Sequence, residues 1–132
     1  MSLIVKTGDR LPPGDLMTVN EKVAVGTPLR IGTEMFVWTA ETQGGVGLIA
    51  RGEVEAIGAA EGDRRRAITI RLLNRSPAQP LGKAALAAHD HRVNVGAANT
   101  TSGRLTAKLY GHSLNRVVGL DEDEADLLRQ RF

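Results

Sequence analysis

Trp38 is the only tryptophan of the chain, and it stands in "FVWTAETQGGVGLIARGEV", residues 36–54, just before a glycine-rich turn. An indole offers a flat apolar face on which a planar ligand stacks, and a base–aromatic stack is worth about 1–3 kcal/mol. Glycines let a backbone come close to such a ligand, so Gly44, Gly45 and Gly47 can present main-chain groups to the edge of a base. Trp38, Thr39, these three glycines and Arg51 therefore form one candidate slot, with Arg71 and the run Arg64, Arg65, Arg66 as phosphate contacts. A second reading makes Trp38 a buried plug at one end of a small barrel. A second reading of "DRRR" makes it the solvated tip of a hairpin.

Other chemistries find less to work with. "HDHR" places His89 and His91 two residues apart, with His112 further on. That spacing puts both imidazoles on one side only in a strand, and on a helix they diverge. Histidines at a helix C-terminus complement its dipole without any metal. Ser76, Ser102 and Ser113 lie outside any G-x-S-x-G elbow, and no phosphate loop of the G-x-x-x-x-G-K-[ST] type occurs. Close carboxylates occur at Glu53 and Glu55 and from Asp121 to Asp126, the latter explained by helix capping. The expectation is a non-catalytic chain without cofactor or metal. The rival is a small-molecule or enzymatic pocket built on the three histidines, and a third reading is a protein-interaction domain.

The chain has 132 residues, enough for one domain with one core, and 42% of them are hydrophobic. Aromatic residues make up only 3%, so the core must come from aliphatic side chains. The absence of cysteine excludes disulfides and thiolate metal sites and fits a reducing, cytoplasmic setting. No stretch reaches the roughly 18 apolar residues of a membrane span, and "MSLIVKTGDRLPPG" has no secretory leader pattern. The formal charge is only +2, but it is unevenly placed. Residues 51–112 carry ten Lys and Arg against five Asp and Glu, whereas residues 113–132 carry three against five. A basic middle of this kind favours a polyanionic partner.

These residues need elements to hold them. Residues 1–26 read as an irregular extension, dominated by the turn cluster "TGDRLPPGD", with one short strand starting near residue 19. "EMFVWT" and "VGLIARGEVEAIG" read as strands, about 34–40 and 46–57, joined by a glycine loop into a hairpin. "RRRAITIRLLNR" gives a third strand, about 65–73, with Ile68, Ile70 and Leu72 on one side, in a second hairpin. "SPAQPLGKAALAAHD" reads as a loop entering a short helix, about 81–89, followed by a polar loop. "RLTAKLYGHSLNRVV" reads as a further strand or turn. In "GLDEDEADLLRQRF", Asp121 is an N-cap and Glu124 its capping-box partner, which begins a C-terminal helix. The sum is an α+β domain around a small, mostly antiparallel sheet curved into a pseudo-barrel.

"GTEMFVWTAETQGGVGLIARGEVEAIG" resembles the opening hairpin of the PUA-like superfamily, closest to EVE-type domains with their "W…GG.G..A.G.V" pattern. "ITIRLLNRSPAQPL" and "KLYGHSLNRVVGLDEDEADLLRQRF" are similar to the later strand and terminal helix of EVE-like modules found beside bacterial restriction-type nucleases. The similarity covers roughly residues 27–132. It implies a pseudo-barrel with an aromatic-lined pocket for a modified or flipped base in DNA or RNA, and a partner nuclease for any cleavage. The family pocket maps onto Trp38 and its flanks, with Tyr110 and His112 closing it. This chain departs from the pattern in having few aromatics to build a cage.

Overall fold

Apolar and polar side chains alternate along most strands of the chain, and a sheet with that pattern buries one face. The computed structural model describes residues 2–24, 26–39, 45–59, 65–82, 85–86, 101–110 and 116–132. In β2 (Leu16–Val23), Met17, Val19 and Glu21 are buried while Leu16, Thr18 and Asn20 are exposed. In β5 (Arg65–Arg75), Ile68, Ile70 and Leu72 are buried, with Ala67, Arg71 and Leu73 exposed. β1 (Ser2–Thr7) and β3 (Glu34–Thr39) break the rule, because both of their faces are covered. Leu3, Val5, Met35 and Val37 point into the interior core, whereas Ile4, Phe36 and Trp38 join a second apolar layer.

With β4 (Gly47–Ile57) and β6 (Arg116–Leu120), the strands close into a barrel in the order β1-β3-β4-β5-β2-β6. Closure leaves no unpaired sheet edge. Four pairings are antiparallel, including both expected hairpins, β3/β4 and β4/β5. Two are parallel, β1/β3 and β2/β6, so the sheet is mixed. The pairing of β4 with its neighbours shifts register at three places, between Val37 and Trp38 on the β3 side and between Arg51 and Gly52 and Val54 and Ala56 on the β5 side, and such bulges sharpen strand curvature.

The second layer lies outside the barrel. Helix α1 (Thr101–Tyr110) contributes Leu105 and Leu109, and helix α2 (Glu122–Arg129) contributes Ala125 and Leu128. These meet Ile4, Phe36, Trp38, Leu48 and Leu81 on the outer wall. The Asp121 carboxylate accepts from the Glu124 amide at 2.8 Å, and Glu124 accepts in return from the Asp121 amide, also at 2.8 Å. The capping box read from the sequence is therefore present. Among the described residues, no helix is long and apolar enough to cross a membrane.

Two expectations change. Residues 1–26 are not an irregular extension: β1 is a wall strand between β3 and β6, and β2 completes the circle. "SLIVKT" shows no clean alternation because both of its faces are buried. The stretch expected as a further strand or turn, 104–118, does enter strand β6 at Arg116, but its 104–110 part lies in the helix Thr101–Tyr110. Its buried Ser102, Leu105 and Leu109 recur at three and four residues, a spacing diluted by Gly103 and two threonines. Of the helix expected over 81–89, Ala85 and Leu86 are helical and the remainder falls largely outside the described residues.

Candidate ligand pocket at the mouth of the barrel

β1 and β3 end side by side, with Thr7 opposite Thr39, and β4 starts there with Gly47 opposite Thr39. The three ends form one mouth of the barrel. A hollow of about 360 Å³ opens at it, lined by Gly8, Asp9, Arg10 and Leu11 from the β1–β2 connection, Thr39, Gly45, Val46, Ile49, and Ser76 just past β5. That volume lies within the range of small-ligand clefts.

The hollow is built from the ends of chain segments, and each is fixed. The Thr39 hydroxyl donates to the Gly47 carbonyl at 3.1 Å and accepts from the Val46 amide at 3.0 Å. It is therefore committed to the loop and shapes the hollow without a free donor for a ligand. A side chain at Gly45 would come within 2.5 Å of the Thr39 Cβ. Gly47 has φ +95 and lies against the backbone of Leu81 and Gly82, so both its conformation and its space demand glycine. On the other wall, the Arg75 guanidinium donates to the Gly14 carbonyl at 2.7 Å and also to the Pro12 carbonyl. The Leu72 amide donates to the Asp15 carbonyl at 2.7 Å. Next to this clamp, Ser76 has φ 53, and its amide donates to Ile49 at 2.8 Å. A non-glycine residue in the left-handed region costs roughly 1–3 kcal/mol and marks sites that the surroundings over-determine.

The side chains of Asp9, Arg10 and Ser76 make no hydrogen bond or ion pair among the described residues. Below them, Glu21 points into the barrel interior and is bonded to Thr7. Burial pushes its carboxyl above the ordinary range, Thr7 opposes that shift, Asp9 adds to it, and Arg65 opposes it. Two carboxyls thus sit at this end of the barrel.

The residues singled out in the sequence divide between four places. Thr39 and Gly45 line the hollow, and Gly47 fixes its rim. Trp38 is 0% exposed and faces outward from the barrel beneath the helices, so it neither plugs the interior nor offers an open face. Its Nε1 donates to the Tyr110 hydroxyl at 2.9 Å, and the rings meet edge to face with centroids 6.2 Å apart. Trp38 and Tyr110 thus form a packed and hydrogen-bonded unit. Lys6 caps it, its Nζ 4.3 Å from the Tyr110 centroid and 2.6 Å from the Leu109 carbonyl.

Arg51 stands elsewhere, donating to Glu34 at 2.6 Å and to Asn74 at 3.0 Å. Glu34 also accepts from Ser2 at 2.6 Å and from Arg129 at 2.7 Å. Burial alone would raise the Glu34 carboxyl, but Arg129, Ser2 and Arg51 hold it down at about 2. Arg71 lies on the exposed outer face of β5, 3.5 Å from Glu53, with both side chains more than 40% exposed. Gly44, Arg64 and the three histidines, His89, His91 and His112, fall outside the described residues. Among the described residues, no group of three or more His, Asp or Glu is placed to hold a metal ion.

Sequence reasoning missed Asp9, Arg10, Leu11 and Ser76. The first three stand in the turn cluster after β1, where an acid beside a base reads as ordinary loop solvation. Ser76 gives no signal, since its importance lies in a backbone angle. No protein-family model matches the chain, and no curated protein and no solved structure matches it either.

Proposed function

We propose that this chain is a non-catalytic nucleic-acid-binding module that takes one base into the hollow at the barrel mouth. The observation that carries the reading is the set of unspent polar side chains, Asp9, Arg10 and Ser76, around a 360 Å³ hollow whose walls are fixed by the rest of the chain. Leu11, Val46 and Ile49 supply apolar contact to the faces of a ring. Asp9 and Arg10 supply an acceptor and a donor for its edge, the pairing that proteins use on bases. The PUA-like, EVE-type resemblance agrees with a base as the ligand and with a small barrel as the scaffold. Trp38 acts here as structural support behind Thr39, not as the stacking surface. A partner nuclease belongs to this proposal as the source of any cleavage.

The test is equilibrium binding of short single- and double-stranded oligonucleotides, with and without modified cytosine, across a salt series. Wild type should bind at least one of them with affinity that falls as salt rises, because phosphate contacts release counterions. Arg10→Ala should weaken that binding, with unchanged thermal unfolding. Absence of salt-sensitive binding to every oligonucleotide would refute the reading.

A further inference from the structure

We propose that a second hollow, at the start of β1 and β3, binds a small organic carboxylate, with its oxygens on Arg30, Thr33 and Arg51 and its apolar portion against Ile31. This hollow of about 570 Å³ is separate from the mouth. Ser2 and Glu34 begin the parallel pair of strands that Thr7 and Thr39 end, and no residue lines both hollows. Its walls are the turn 30–33, Ser2, Glu34, Arg51 from β4 and Arg129 from α2. The inference is independent of the reading of the mouth as a base site.

A chain of contacts holds these groups together. The Thr33 amide donates to the Arg30 carbonyl at 3.3 Å, with Gly32 at φ +89, the positive angle that the third position of a type II turn requires. The turn is pinned to β4, because the Gly32 amide donates to the Val54 carbonyl at 2.7 Å and the Val54 amide to the Thr33 carbonyl at 2.9 Å. Glu34 follows directly and accepts from Arg51 Nε at 2.6 Å, while Asn74 accepts from Arg51 Nη1 at 3.0 Å. The Arg51 guanidinium is thus fixed at two of its three nitrogens, and its Nη2 makes no bond among the described residues. The side chains of Arg30 and Thr33 make none among them either. The carboxylate of the lining, Glu34, is already taken by Ser2, Arg51 and Arg129.

The side chains left over can all donate, which suits an anion, and a guanidinium edge matches a planar carboxylate. The surrounding charge favours a single negative charge. Arg129 is matched by Glu122 and Asp126 as well as by Glu34, so Arg30 and the open edge of Arg51 are what remain for a ligand. A phosphate dianion would bring its second charge toward these three carboxylates. Ile31, 69% exposed on the turn, offers apolar surface to the rest of the ligand.

The experiment follows amide chemical shifts as acetate, hexanoate, 1-hexanol or inorganic phosphate is added at constant pH and ionic strength. Hexanoate should give a saturable response at residues 30–34 and 51, tighter than that of acetate because its chain buries apolar surface on Ile31. 1-Hexanol and phosphate should produce no saturable response there. Arg30→Ala should weaken hexanoate about fivefold, the upper range for an exposed ion pair. Ile31→Ser should bring hexanoate down to the affinity of acetate. Both side chains are exposed, and thermal unfolding checks that the variants remain folded. The proposal is overturned by no saturable response to hexanoate at these residues, or by an equal response to 1-hexanol or phosphate. Hexanoate binding unchanged in Arg30→Ala, or a chain-length preference that survives Ile31→Ser, would overturn it as well.

Discussion

Glu34 ties three elements together at one carboxylate: Ser2 from β1, Arg51 from β4 and Arg129 from α2. Because its folded value is held down at about 2, below the ordinary 4.5, its contribution to stability is complete above 4.5 and is lost as pH falls toward 2. Glu34→Gln should therefore lower the unfolding temperature at neutral pH and flatten the acid limb of its pH profile. Glu21 carries the opposite sign. Its folded value is raised, so its stabilising influence is present below 4.5 and disappears as pH rises through the raised value. Glu21→Gln should unfold at a higher temperature than wild type at neutral pH, and the difference should vanish at low pH. A Glu21→Gln profile parallel to wild type at every pH would show that the buried carboxyl carries no such cost. Trp38→Phe removes the donor to Tyr110 and should cost about 1 kcal/mol or more in chemical unfolding, from the lost hydrogen bond and the smaller ring.

At the scale of elements, the wall of the hollow hangs on Arg75. Its grip on Pro12 and Gly14 spans the end of β5 and the β1–β2 connection, which supplies four of the lining residues. Arg75→Ala should speed hydrogen exchange in residues 8–15 of the free protein while the amides of β3 and β4 stay protected. Unchanged exchange in 8–15 would mean that Leu72 and the prolines hold the wall without it. The α2 cap offers a calibration, since Asp121→Ala should cost about 1 kcal/mol. Elements differed sharply in how legible they were. The β3–β4 and β4–β5 hairpins and the α2 cap follow from local chemistry: alternation, turn glycines and an Asp–x–x–Glu box. β1 was hidden because burial on both faces erases alternation, and α1 because its apolar stripe is only Leu105 and Leu109.

At the scale of the molecule, closing the barrel is what creates the hollow. β1 and β3 are separated by β2 in the chain, yet they run parallel and in register, so their ends and the segments that follow meet at one mouth. Sequence order alone puts Asp9 about thirty residues from Thr39 and far from Ser76, and only the circular strand order brings them together. Thr39, Gly45 and Gly47 stand together in the sequence, while Asp9, Arg10 and Ser76, which line the same hollow as Thr39 and Gly45, do not. The fold also explains Trp38. The alternation of β3 sends Thr39 to the mouth and its neighbour outward beneath the helices, so the prominent aromatic adjoins the site without entering it. The most direct test is to map amide chemical-shift changes on adding a cytosine-containing oligonucleotide. The expected result is a cluster at residues 8–11, 39, 45–46 and 76, weakened in Arg10→Ala. Shifts centred instead on Tyr110 and the helices, with none at the mouth, would contradict the account.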